Sequence, residues 1–390
     1  MRKHTPILTG DKALRYACEG LQEHLSLEAR GYKCTTETLI EVLVAMTSQQ
    51  MTLEQACATL PQAPDATTLR GYLNKQVTVE RLSELEHEVN AALHTQLPPR
   101  LWRKSLDVAI DAHEQPYYGD TAQDKGLWVK GQRKAGTRRA YRIISAYVMQ
   151  RGLRFTLSLV FVPYGTSVYK ALQRLLELLQ QLRLPQKCLW LDRGFASVEI
   201  MQYLATHHWS AVIACPIRGK LDGKGTRALC TGRASYVTEH TFESHGHQCH
   251  PAQLAVCRVF RNTRRRSRKR RKADWEVYIL INITLTPQQV RPRYRHRFGI
   301  ETSYRCANQV RGWTTSPNAA FRFLLLGLAL YVYNVWVSLV WHSTQVPRKG
   351  GRYLDVARLR LSRLKRMLLH ALEARYGSVT AITAPAAPLL

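Results

Sequence analysis

The stretch over residues 323–341 limits most strongly how this chain can fold. Its nineteen residues, FLLLGLALYVYNVWVSLVW, include no charged side chain, and a helix of that length is long enough to span a bilayer. Asn334 and Ser338 interrupt the stretch, and the segments on both sides are typical of soluble protein. A helix that is apolar on every face also occurs in the core of a large domain. We therefore expect this helix to cover a sheet rather than to cross a membrane.

The balance of charges limits the partners of the chain. Its 390 residues include 57 lysines and arginines against 28 acidic residues, which gives a formal net charge of +29. Such a surplus attracts polyanions, so nucleic acid is the first partner to consider and an anionic membrane the second. The nine cysteines include no CxxC pair, and the basic N-terminus lacks the apolar run of a signal peptide. We therefore expect a protein of a reducing cell interior.

Residues 1–100 are expected to form a helical domain that binds DNA. Thr35, Thr52 and Asp65 are each suited to cap a helix, and Gln55 completes a capping box with Thr52. Three short helices with tight breaks fit a helix-turn-helix whose last helix enters the major groove, although a plain helical bundle fits the same pattern. A longer helix over 79–97 then ends at two prolines, which mark the domain boundary.

After that boundary, short apolar strands alternate with helices. Strands are expected over 105–111, 141–150, 154–162, 187–192 and 210–217, with a helix after the third and another after the fourth. This is the element order of an α/β, ribonuclease-H-like fold with a mixed five-stranded sheet. Its first and fourth strands are neighbours, so Asp111 and Asp192, each expected at the end of its strand, would meet. Asp107 is the rival for the first position, but it begins its strand.

A third carboxylate, Glu301, is expected on a helix that packs on this sheet. A single helix over 293–311 would place Tyr294, Arg297, Glu301 and Arg305 on one polar face. A lone acid among cations fits either an ion-pair scaffold or a metal ligand beside a polyanion. Three acids from separate segments fit phosphoryl transfer with two Mg²⁺ or Mn²⁺ ions, which clamp the attacking and leaving oxygens.

The remaining segments are expected to be additions to this domain. Residues 219–286 read as a β-rich insertion that contains the run RNTRRRSRKRRK over 261–272, in which like charges repel and oppose regular structure. We interpret the run as an arm that binds DNA phosphates, with a solvated loop or a localisation signal as the alternative. Its candidate phosphate ligands are Arg264, Arg265, Arg266, Arg268, Lys269, Arg270, Arg271 and Lys272. A basic helix is expected within 346–377 and a disordered tail over 378–390.

Three motifs in this chain resemble those of a known family. The spacing of Tyr294, Arg297 and Glu301 is similar to the Tyr-x2-Arg-x3-Glu signature of prokaryotic DDE insertion-sequence transposases. The sequence DRGF, which begins at Asp192, resembles the second-acid motif of that family, and the region after Asp111 resembles the first-acid region of some members. The resemblance covers about residues 105–340, including the insertion.

The resemblance implies a ribonuclease-H-like catalytic domain over 101–218 and 287–345. It implies that Asp111, Asp192 and Glu301 bind two Mg²⁺ or Mn²⁺ ions, with Tyr294 and Arg297 near the DNA phosphates. The implied activity is strand cleavage at the terminal inverted repeats of an insertion sequence and strand transfer into target DNA, by a homodimer in the prokaryotic cytoplasm at the nucleoid. A catalytically inactive or domesticated DNA-binding protein and a structure-selective nuclease of the same fold are the alternatives.

The chain departs from the signature at one position. The family usually has a lysine seven residues after the glutamate, whereas this chain has Asn308 there. Arg305, one turn earlier, is the candidate that replaces the missing charge at a DNA phosphate. Trp275 and Trp313 are candidates to stack on an unpaired base, although tryptophans more often belong to the core.

Overall fold

The computed structural model describes residues 7–120, 126–134, 136–150, 152–244, 247–265, 268–349 and 351–381. Within these ranges the helices are α1 (Gly10–His24), α2 (Thr36–Gln49), α3 (Leu53–Thr59), α4 (Ala66–Gln76), α5 (Leu82–Thr95), α6 (Val168–Gln181), α7 (Val198–Thr206), α8 (Pro287–His296), α9 (Gly299–Asn308), α10 (Ala319–Ser343) and α11 (Leu361–Tyr376). The strands are β1 (Leu106–Pro116), β2 (Val129–Lys134), β3 (Thr137–Val148), β4 (Thr156–Val162), β5 (Gln186–Leu191), β6 (Ala211–Cys215), β7 (Tyr236–Ser244), β8 (His247–Arg265), β9 (Arg268–Ile281), β10 (Gln345–Arg348) and β11 (Gly351–Leu354).

The caps predicted for the N-terminal helices are confirmed. The Thr35 hydroxyl accepts the Thr38 amide before α2, and the Asp65 carboxylate accepts the Thr68 amide before α4. Thr52 and Gln55 exchange both bonds of a capping box at the start of α3. The helix α1 was not predicted, although Thr9 caps it and its buried residues recur at helical spacing.

The central sheet has the predicted ribonuclease-H-like arrangement. β4, β3, β1, β5 and β6 lie in that order, with β1 parallel to β5 and β5 parallel to β6. Ile110 lies opposite Leu191, so the residues that follow them, Asp111 and Asp192, are placed side by side. The predicted adjacency of the first and fourth strands is therefore confirmed.

Two predictions about the first strand and the segment after it are wrong. β1 does not end at Asp111 but continues to Pro116, because β3 pairs with it as far as Ala140 opposite Pro116. The basic, glycine-containing segment around Lys130 is predicted from the sequence to be a loop, but part of it forms β2, which pairs with β3 through Val129 opposite Ala140. Asp111 instead marks the point where the parallel partner β5 ends.

The insertion extends the same sheet. β9 pairs antiparallel with β6, and β8 and β7 follow it outward. The basic run continues the β8–β9 hairpin, with Arg261 opposite Lys272 and Arg265 opposite Arg268. The expectation that charge repulsion prevents regular backbone is wrong here, because long apolar strands on both sides carry their register into the run. Arg266 lies outside the described residues.

The long apolar helix α10 lies inside the protein. In its most apolar 18-residue window, 94% of the residues are buried, as expected for a core helix. It packs against α2, α5, α9 and β4. Its two polar interruptions are satisfied there, because Asn334 exchanges two hydrogen bonds with the Thr156 backbone and Ser338 bonds to the Tyr16 hydroxyl.

Polar side chains cover the outer edge of β4. Asn90 from α5 accepts the Leu159 amide at 2.7 Å and donates to the Leu159 carbonyl at 2.9 Å. Glu86, one turn earlier, accepts the Phe161 amide at 2.7 Å and pairs with Arg174. The helices α5 and α10 thus bond to the edge where another strand would otherwise pair.

The C-terminal helix is shorter than predicted. The first residues of the expected helix form β11, which pairs with β10 through Val346 opposite Tyr353. The glycines at 350 and 351 in the sequence favour a chain reversal over a helix. The helix α11 starts at Leu361 and packs on α1 and α2. The predicted disordered tail lies almost entirely outside the described residues, which end at 381.

Asn90→Leu is expected to lower the free energy of unfolding by about 2–4 kcal/mol, because it leaves both the amide and the carbonyl of Leu159 buried without a partner. The measurement is the urea midpoint of full-length protein. Asn74→Leu, on the exposed face of α4, is the matched control and should change the midpoint little. Equal effects of the two substitutions would show that the edge contacts do not stabilise the sheet.

Candidate active site

Two aspartates meet where β1 and β5 stop pairing. Asp111 lies within β1 opposite Ser145 of β3, and Asp192 directly follows β5 and begins a short 3-10 helix, Arg193–Phe195. Burial raises the pKa of the Asp111 carboxyl; the neighbouring Arg297 lowers it, and the charge on Asp192 raises it further. Side by side, the two carboxylates repel each other and need a compensating cation.

Arg297 supplies that cation. Its side chain is only 5% exposed, and its Nη1 and Nη2 lie 3.4 Å from Asp111 Oδ1 and 3.4 Å from Asp192 Oδ1. Burial lowers the pKa of Arg297, but Tyr294 and the two aspartates raise it, so the net shift is upward. Both distances exceed the roughly 2.7–2.9 Å of a charge-assisted hydrogen bond. The guanidinium therefore balances the two charges without tight bonding to either.

The backbone around Arg297 differs from the prediction of a single helix over 293–311. α8 ends at His296 and α9 begins at Gly299, and the amides of Arg297, Phe298 and Ile300 bond to carbonyls three residues earlier. Gly299 fits closely against the sheet, because a Cβ there would lie 2.4 Å from the Tyr147 hydroxyl oxygen. The lack of a side chain at Gly299 therefore lets the turn lie close to β3.

The tighter turn changes where Glu301 lies. Its side chain is 46% exposed and pairs with Arg305, with 3.6 Å between Oε2 and Nη2. Among the described residues, no three acidic, histidine or cysteine side chains converge closely enough to hold a metal ion. The structure thus brings Asp111 and Asp192 together and leaves Glu301 on the adjacent turn. Two carboxylates still offer the hard oxygen donors that suit Mg²⁺ or Mn²⁺.

Tyr294 holds the end of β5. The ring is buried, and the hydroxyl donates to the Leu191 carbonyl at 3.1 Å, directly before Asp192. The same ring lies 5.3 Å from the Arg297 guanidinium and beside Tyr278. Tyr294 therefore fixes both the second aspartate and the arginine. The predicted contact of Tyr294 and Arg297 with DNA phosphates stays a prediction.

His113 and Tyr304 line one side of the candidate site, and neither residue was predicted from the sequence to lie there. Their rings stack with centroids 4.6 Å apart, and the Tyr304 hydroxyl shares a hydrogen bond with Ser145, opposite Asp111. Burial raises the pKa of Tyr304. The spacing in the sequence could have indicated both residues. His113 is two residues beyond Asp111, on the same face of the strand, and Tyr304 is three residues beyond Glu301, on the next turn of the helix.

Comparison with known proteins identifies the family. Residues 102–334 match the model of the transposase DDE domain. The chain is a member of the DDE transposase family. No curated protein matches its sequence. Its fold resembles piggyBac transposase in a cryo-EM structure of the synaptic complex with hairpin DNA, with a TM-score of 0.56 and 11% identity over 98% of this chain and 84% of that one.

The family match covers the segments that carry the three motifs. The predictions of a DDE transposase, of its enzyme class and of its fold are confirmed. The prokaryotic origin and the roles of individual residues in this transposase stay predictions.

Arg297→Met is expected to lower the free energy of unfolding by about 3–5 kcal/mol, since it leaves two neighbouring carboxylates uncompensated. Urea denaturation at neutral pH measures the loss. Adding Asp111→Asn to this variant should restore part of the stability, because one of the two repelling charges is removed. Arg295→Met, exposed on α8, is the control. If Arg295→Met lowers the free energy of unfolding as much as Arg297→Met does, the Arg297 guanidinium does not balance the charges of the aspartates.

Proposed function

We propose that this transposase cleaves DNA at the terminal inverted repeats of an insertion sequence and joins the freed 3′ end to target DNA, using Asp111, Asp192 and Glu301. The adjacent carboxylates of Asp111 and Asp192, inside a DDE domain, are the observation that carries the proposal. DDE transposases generally use divalent metal ions. We infer two Mg²⁺ or Mn²⁺ ions for this chain, because its candidate ligands are all carboxylates. When bound, such ions activate the attacking water and stabilise the leaving oxygen.

The three acids have different tasks in this proposal. Asp111 and Asp192 are held in place by strand pairing and by Arg297, so they form the fixed part of the ligand set. Glu301 is the movable part. Its exposed ion pair with Arg305 contributes only about 0.3–0.5 kcal/mol, so its release toward the aspartates costs little. Arg305, once released, is placed to contact a DNA phosphate and to replace the lysine absent at 308.

DNA binding is proposed to involve surfaces beyond this centre. The net charge of +29 and the basic end of the β8–β9 hairpin support a phosphate-binding role for the run over 261–272. The N-terminal helices are proposed to bind the terminal repeats. The similar piggyBac structure is a synaptic complex with DNA, which supports synapsis here. We infer at least a dimer on DNA, because synapsis joins two DNA ends. Light scattering of the protein–DNA complex measures its mass and so tests the dimer. A complex that contains only one protein chain would contradict it.

We also infer that the enzyme acts in the cytoplasm at the nucleoid. Its long apolar helix is buried in the protein, and its charge favours DNA as the partner. Recovery of the full chain in the soluble fraction without detergent is expected. Recovery only from membranes would contradict this location.

Asp111→Asn, Asp192→Asn and Glu301→Gln are each expected to reduce DNA cleavage to the background rate while leaving DNA binding intact, because each removes a metal-ligand charge. The substrate is end DNA, defined by reading the inverted repeats on both sides of the gene. Cleavage with Mg²⁺ or Mn²⁺ and binding by gel shift are the two measurements.

Asp107→Asn is the matched control. Its Oδ1 accepts the Trp190 indole N–H at 3.1 Å, a bond that asparagine retains, so full cleavage is expected. Cleavage by Asp192→Asn at the normal rate would overturn the proposed centre. Cleavage by Glu301→Gln alone would remove only Glu301 from it. A wild-type protein that binds the ends without cutting them would favour the inactive, DNA-binding alternative.

Replacing Arg264, Arg265, Arg268 and Lys269 by glutamine is expected to weaken DNA binding and its salt dependence. Each lost phosphate contact reduces the slope of log Kd against log salt by about 0.9, so four contacts give a change of about 3–4. The same number of glutamines at the exposed Arg358, Arg360, Arg363 and Arg366 is the control. An unchanged slope in the first variant would identify the run as a solvated hairpin end.

A further inference from the structure

A cavity of about 520 Å³ lies beyond the active site, between the end of β1 and the loop that follows α9. Gln115 and Tyr118 line it from the β1 side, and Arg311, Trp313 and Arg322 line it from the other. Its volume is within the range of sites that hold small molecules or single nucleotides. None of these five residues takes part in the centre described above.

The cavity is on the same face of β1 as the aspartate. Gln115 is four residues beyond Asp111, so their side chains point to one face and lie roughly 13 Å apart along the strand. His113 lies between them, stacked on Tyr304. In a stacked DNA strand, where nucleotides follow every 3.4 Å, this distance corresponds to about four nucleotides. An unstacked DNA strand would span the same distance with fewer nucleotides.

Two arginines lie close to each other in the cavity. Burial lowers the pKa of Arg311, and the nearby charge of Arg322 lowers it further. Arg322 donates to the Ser316 carbonyl at 2.7 Å, and burial lowers its pKa as well. In the part of the chain that the structure describes, no carboxylate forms an ion pair with either residue. Two partly desolvated cations side by side favour binding of an anion such as phosphate.

Gln115 provides a buried hydrogen-bond donor at the cavity. The residue is only 6% exposed, and its amide nitrogen has no hydrogen-bond partner among the described residues. A buried donor left in this state is unfavourable, so a ligand that supplies an acceptor is favoured. The edge of a nucleobase carries carbonyl and ring-nitrogen acceptors, and glutamine is one of the side chains that bond to such edges.

Trp313 and Tyr118 present aromatic surface at the cavity, each 61% exposed. The Trp313 amide donates to the Met51 carbonyl at 2.9 Å, so the turn between α2 and α3 holds this loop in place. Trp275, the other candidate named from the sequence, instead packs partly buried against the core of the sheet. An exposed aromatic ring beside cations is the arrangement on which a base stacks.

We propose that this cavity binds one unstacked nucleotide of the DNA strand, with its phosphate between Arg311 and Arg322 and its base against Trp313 and the Gln115 amide. The proposal rests on the proposed function, because Asp111 and Asp192 set the position of the cleaved phosphate. The nucleotide lies within about four positions of that phosphate.

The test replaces single nucleotides of the end DNA by abasic ones, at each of the five positions on either side of the cleavage site. Binding to the full-length protein is measured without divalent metal, so that no cleavage occurs. At one position the abasic change should weaken binding by roughly 5- to 150-fold, the effect of losing one stacked base. With Trp313→Ala, the abasic change at that position should weaken binding little further, because the stacking partner is already absent.

Trp102→Ala, at an exposed tryptophan in a different part of the protein, is the control and should retain the full abasic effect. A second cycle pairs Arg311→Gln with an uncharged methylphosphonate and should identify the same nucleotide. If the effects of Trp313→Ala and of the abasic change on binding are additive at every position, while cleavage is normal and depends on Asp192, the cavity proposal alone is overturned. Absence of any binding to the ends would overturn the proposed function as well.

Discussion

The buried guanidinium of Arg297 between Asp111 and Asp192 is the interaction on which the candidate active site depends. Parallel pairing of β1 with β5 forces the two carboxylates together, and partial burial strengthens their repulsion. Without a cation, the pairing itself would be opposed. The contacts around Arg297 keep it in position: Tyr294 bonds to the end of β5, and Gly299 lets the turn approach Tyr147. The register of β1 against β5 therefore both brings the two carboxylates together and makes the Arg297 cation necessary.

The helical layer is linked to the sheet by a second set of buried polar contacts. The outer edge of β4 is bonded to Asn90, Glu86 and Asn334, so α5 and α10 take the place of a further strand. α1, α2 and α11 pack in turn around α10. The N-terminal and C-terminal helices therefore share a core with the helix that covers the sheet. The separate DNA-binding domain over 1–100 stays a prediction. The helix faces that pack in this shared core are not free to contact DNA, so DNA would bind to the faces that point away from it.

Features that depend on local sequence were predictable, and features that depend on distant partners were not. The caps at Thr35, Thr52 and Asp65 involve groups within three residues, and the β1–β5 adjacency follows from element order. The extension of β1, by contrast, exists because β3 pairs with it. The turn at residues 297 and 298 brings Gly299 close to Tyr147, which is distant in sequence. Helical periodicity alone therefore placed Glu301 on the face of Arg297, whereas the tighter turn directs it outward.

The two ion pairs of this turn differ in what their loss costs. Removing the partner of a buried pair such as that of Arg297 costs about 3–5 kcal/mol, whereas an exposed pair at i, i+4 such as Glu301–Arg305 contributes about 0.3–0.5 kcal/mol. The second value is small enough for the Glu301–Arg305 pair to break and re-form readily. In the proposed function, recruitment of Glu301 to a ligand at the aspartates therefore breaks only this weak exposed pair. Because the same release frees Arg305, assembly of the acids and engagement of a DNA phosphate would occur together.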